Sequence, residues 1–117
     1  MSVLEQIIRD GGGTFAADTL QQITPQRGYA VGVEHGTAVI LEAGADEFAV
    51  IMALESVAQG YAHRGARAVG AWIDGGRIHV DPVLITATLH DAMRVAREYG
   101  QAAVYDFSTG STVEVES

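Results

Sequence analysis

Cysteine, lysine and asparagine are absent from this chain of 117 residues, and proline occurs only twice. Without cysteine there is no disulfide, no thiol nucleophile and no zinc–thiolate site. Without lysine, Gly11-Gly12-Gly13 cannot open a phosphate loop, a motif that needs Lys-Ser/Thr after its glycines and a strand before them. The three glycines read instead as a helix stop and hinge. Long apolar runs are missing too: none approaches the roughly 20 residues that a membrane-spanning helix needs. The first residues carry acids early, which is not the pattern of a signal peptide. A soluble, cytoplasmic protein with no membrane partner is expected.

Positive charge is scarce. Seven arginines face 15 Asp and Glu, a formal charge of −8. A groove that tracks nucleic-acid phosphates needs clustered cations, and these arginines are dispersed, so direct nucleic-acid binding is not expected. The acids are dispersed as well, Asp46-Glu47 being the only adjacent pair, so the chain does not imitate a phosphate backbone. Its charge keeps a small domain soluble and steers it toward basic partners. Hydrophobic residues make up 48% and charged residues 19%, an ordinary globular balance. The length suits one domain, residues 1–117.

Along the chain, Ser2 with Glu5 fits a capping box for a helix over about 2–10, with Leu4, Ile7 and Ile8 as its apolar stripe. Residues 14–27 are polar and turn-rich and read as a surface wrap. Tyr29–Glu34 alternates, with Tyr29, Val31 and Val33 on one face; His35-Gly36 is a turn, and Thr37–Glu42 returns, making a hairpin over 28–42. Asp46 caps a helix through about His63, with a broad core face of Phe48, Ile51, Met52, Leu54, Val57, Ala58 and Tyr61. A second hairpin spans 68–83. Thr88, with Asp91 three residues on, caps a helix over 88–99 that Gly100 ends. A third hairpin, 102–115, turns through Ser108-Thr109-Gly110. Local hairpins divided by helices predict an α+β two-layer sandwich, a mainly antiparallel sheet with helices packed on it.

The stretch "GAWIDGGRIHVDP", residues 70–82, holds the single tryptophan. With Gly75-Gly76 as a two-residue type I′ loop, Asp74 faces Arg77, Ile73 faces Ile78 and Trp72 faces His79. Alternation then buries Ala71, Ile73, Ile78 and Val80. It leaves Trp72, Asp74, Arg77, His79 and Asp81 together on the other face as the candidate binding residues. A tryptophan facing water needs a cover, from the chain itself or from a partner. No catalytic residue is assigned: there is no HExxH, GxSxG or paired-carboxylate motif. No metal or cofactor is expected, because His35, His63 and His90 lie on other elements at no ligand spacing.

The segments "GYAVGV", "GAWIDGGRIHVDP" and "AREYGQAAVYDFSTG" resemble a group of small proteins of actinobacteria and their phages. The absence of Lys and Asn, whose codons are A-rich, suits such a G/C-rich source. The resemblance implies one compact domain and no particular chemistry. Two functions follow as expectations. One is a non-enzymatic interaction module that binds another macromolecule, a protein partner of basic character. The alternative is a binder or hydrolase of small molecules, nucleotides or metabolites, using the Trp72/His79/Asp81 face, where tryptophan would stack a ring and imidazole would move a proton. A homodimer is also expected, if Ser111–Val115 lies at a sheet edge blunted only by Glu114 and Glu116.

Overall fold

Each helix begins where a side-chain oxygen takes up a backbone N–H that the helix itself leaves unpaired. In the computed structural model, which describes residues 2–35, 37–42 and 44–115, α1 spans Val3–Asp10 behind Ser2 in a complete capping box. Helix α2 spans Glu47–Gly60 behind Asp46, whose carboxylate accepts from Ala49 N. A single 3-10 turn, Ala62–Arg64, follows it. Helix α3 spans Leu89–Glu98 behind Thr88, which accepts from Asp91 N. Glu47, the first residue of α2, also accepts from Val3 N and Leu4 N at 3.2 and 2.9 Å, so α2 helps to cap α1.

The strands are β1 (Gly12–Ala16), β2 (Tyr29–Gly32), β3 (Val39–Leu41), β4 (Ala68–Asp74), β5 (Arg77–Thr86), β6 (Ala103–Asp106) and β7 (Ser111–Glu114). They form one antiparallel sheet in the order β1-β4-β5-β2-β6-β7, with β3 also paired to β5. The α+β sheet-and-helix architecture is therefore as expected. Among the described residues, no helix is long and apolar enough to cross a membrane.

The expected hairpin over 28–42 does not form. Both of its strands exist, but they lie end to end along one edge of β5: β2 pairs with Val83–Thr86 and β3 with Ile78–Val80. Pro82 supplies the reason. It has no N–H, and its carbonyl accepts from Val33 N at 3.0 Å, so its missing donor would have pointed at this same neighbour. The ladder breaks there, and residues 33–35, 37 and 38 lie outside both strands. Gly36, half of the expected turn, lies outside the described residues.

The 14–27 stretch is a second correction. Its first residues belong to β1, and Phe15 is fully buried in the core. Gly11 alone stops α1, with φ +77°, while Gly12 and Gly13 begin the strand. The closing hairpin turns through residues 107–110, since Asp106 pairs with Ser111.

All three helices pack on one face of the sheet. There α1 and α2 meet Phe15, Val69, Ala71, Ile78 and Val80, and α3 lays Ala92, Val95 and Ala96 over Val31 and Val104. Helix α2 is apolar over more of its circumference than the sheet can cover. Phe48 and Met52, expected in the core, face solvent instead.

Candidate functional site

The β4–β5 hairpin has the expected register residue for residue: Asp74 opposite Arg77, Ile73 opposite Ile78, Trp72 opposite His79. Gly75 and Gly76 have φ of +59° and +77°, the left-handed values that both central positions of a type I′ turn require. Trp72 and His79 stack, ring centroids 5.4 Å apart and planes at 10°. Trp72 remains 38% exposed. The row continues on both sides, to Gly12 opposite Trp72 and to Ile40 opposite His79. A Cβ at position 12 would lie 2.7 Å from the carbonyl oxygen of Ala71 and 3.2 Å from Cβ of Trp72. Glycine is what lets β1 pass beside the tryptophan. Ile40 was not among the expected site residues; it is exposed, and because β3 was read as half of a different hairpin, its neighbours were not visible in the sequence.

The other three expected residues divide. Asp74 and Arg77 are exposed at the turn, but Arg77 Nε approaches Glu42 at 3.7 Å instead of Asp74. This is an exposed ion pair of small energetic weight. Ile73, expected in the core, is 38% exposed, although Ile78 opposite it is buried. Asp81 is corrected most sharply. It is only 3% exposed, and its Oδ1 accepts from Ala38 N at 2.8 Å. Burial pushes its carboxyl up to about 6, against the opposing effects of the Ala38 N–H and of His79. It is a buried polar group with a structural partner, turned away from solvent.

The 33–38 connection expelled at Pro82 supplies contacts on both flanks. On one side Thr37 Oγ1 lies 3.4 Å from His79 Nδ1, and Ala38 caps Asp81. On the other, the Glu34 carboxylate accepts from the Tyr61 hydroxyl, from His35 N and from Arg64. These bonds hold its carboxyl below the usual carboxylate range, that from Tyr61 first. Arg64 also donates to the Val33 carbonyl at 2.8 Å and lies over the rings of Tyr61 and Tyr99, 4.9 and 5.6 Å from their centroids. Gln101 Nε2 donates to the Glu34 carbonyl. This network went unread in the sequence, and the one signal for it was a proline inside an otherwise regular strand.

Two hollows lie beside α2, lined by residues 17–20 and 52–60, away from Trp72 and His79. Among the described residues, no cluster of three or more His, Asp or Glu is placed to hold a metal ion. No family model, curated protein or solved structure matches the chain.

Proposed function

We propose that this protein is a non-enzymatic interaction module that binds another protein through the Trp72–His79–Ile40 row on the helix-free face of its sheet. The observation that carries the reading is the exposed apolar row itself. A ring stack and an exposed isoleucine lie side by side across three strands and form an apolar strip. Protein interfaces centre on aromatic anchors ringed by further apolar contacts. The inward turn of Asp81 supports the same choice, because a His79–Asp81 acid–base pair would need that carboxylate within reach of a substrate.

A peptide library selected against the full chain tests the proposal. The expected result is a set of binders whose affinity falls about tenfold or more on Trp72→Ala, the size of effect an aromatic anchor carries, and less on Ile85→Ala. A selection in which no binder depends on Trp72 would overturn it. So would a nucleotide or metabolite that raises the melting temperature in a manner dependent on His79.

A further inference from the structure

The most exposed large apolar side chain lies elsewhere, on α2. Phe48 is 73% exposed and Met52, one turn later, 49%. An amphipathic surface helix turns its apolar stripe inward and its polar residues outward; α2 buries Val50, Leu54 and Val57 and still presents two large apolar residues to solvent. From Met52 the stripe runs into two adjoining hollows that share Glu55 and Gln59, the second walled by the turn at Ala17–Leu20. Leu20 in that wall has φ +59°, the one left-handed non-glycine backbone among the described residues. Such a conformation is held at a cost and collects at binding sites. The lining residues include two carboxylates, Asp18 and Glu55, and no cation.

We infer that this groove receives a basic amphipathic helix from a partner protein. Phe48 and Met52, at i and i+4, lie on one face of α2 and form an apolar stripe against which the apolar face of a docked helix can pack. The acidic rim, on a chain of charge −8, attracts a cationic segment and repels a second copy of this chain or an anionic lipid surface. The surface is separate from the Trp72 row, and neither reading depends on the other.

The test uses the full chain and a synthetic Leu/Lys amphipathic helix, with a Leu/Glu helix of the same apolar pattern as control. The Leu/Lys peptide is expected to bind, gain helicity, and lose affinity about tenfold on Phe48→Ala or Met52→Ala, neither of which changes charge. Glu55→Gln and added salt weaken it further, and the Leu/Glu peptide does not bind. Affinity indifferent to both apolar variants would overturn the inference, because attraction would then be charge alone. A dimer in light scattering that Phe48→Ala dissociates would overturn it in favour of a second copy. Loss of binding on Trp72→Ala with Phe48→Ala unchanged would move the peptide to the sheet face, overturning this inference while leaving the proposed function standing.

Discussion

The two long edges of β5 obey different rules. Along one edge, β4 pairs without interruption from Asp74–Arg77 to Ala68–Val83, returned by a two-residue turn whose glycines dictate the register. Along the other, the partner is cut in two at Pro82, and residues 33–35, 37 and 38 lie outside both of its strands. The first edge is built by local chemistry and places Trp72 on His79. The second is built by the absence of one N–H, and it delivers Thr37 to His79, Ala38 to Asp81 and Glu34 to Arg64. The regular edge creates the row; the broken edge braces it from the side.

The largest effect expected tests whether the strand flanking the regular edge is as firmly built in as β4. Phe15→Ala in β1 should cost about 3–5 kcal/mol, the usual penalty for truncating a fully buried aromatic, measured by denaturant unfolding. A loss under about 1 kcal/mol would return residues 14–16 to a surface wrap.

The broken edge is tested by pH. The Asp81 carboxyl, ordinarily near 3.8, stands at about 6 in the folded chain because of burial. The folded state therefore holds this proton more tightly than the unfolded one. Its contribution to stability is complete at acid pH and is lost as pH rises through about 6. Asp81→Asn keeps an oxygen for the Ala38 N–H and removes the buried charge. It should raise stability at pH 7 by on the order of 1–3 kcal/mol and give no gain below about pH 3, under the unfolded value. Equal effects at both pH values would place Asp81 in contact with solvent. Glu34 works in the opposite sense: its lowered carboxyl supports the fold at neutral pH and ceases to as pH falls, so the comparison of wild type with Asp81→Asn isolates the buried group.

Smaller effects probe the regular edge. Gly76→Ala should destabilise by about 1 kcal/mol, the strain of a side chain at positive φ; a neutral result would mean the turn is not type I′. His79→Ala should cost roughly 0.5–1 kcal/mol through the lost stack on Trp72 and shift the emission of the single tryptophan. Unchanged emission would separate the rings in solution.

Much of this fold was legible, for reasons that differ by element. Capping boxes and αL glycines are local, so α1, α2 and α3 could be bounded to within a few residues from Ser2, Asp46, Thr88, Gly11 and Gly100. The 70–82 hairpin was legible because two glycines admit one turn, and alternation then assigns every face. Long-range pairing was not. Tyr29–Glu34 and Thr37–Glu42 look like a hairpin when their own residues alone are weighed; only the donor missing from Pro82, some forty residues on, sends them to separate halves of β5. Asp81 was misread by the same step, since alternation puts it on the helix-free face but cannot show that Ala38 closes over it. Phe48 and Met52 failed differently: periodicity marks them as apolar, and how much of that periphery a sheet can cover is decided by the packing of α1 and the 17–20 turn. The expected edge position of β7 holds, as the last strand in the sheet order; Glu116, expected to blunt it, lies outside the described residues.

The central claim is that the Trp72–His79–Ile40 row is where a partner sits. An amide and indole chemical-shift titration of the full chain with a library-selected peptide addresses it directly. The account predicts that the largest shifts fall on the Trp72 indole, His79, Ile40 and Gly12, with Phe48 and Met52 unmoved. Shifts confined to α2 or to the β7 edge for every selected peptide, with the Trp72 indole signal in place, would contradict it.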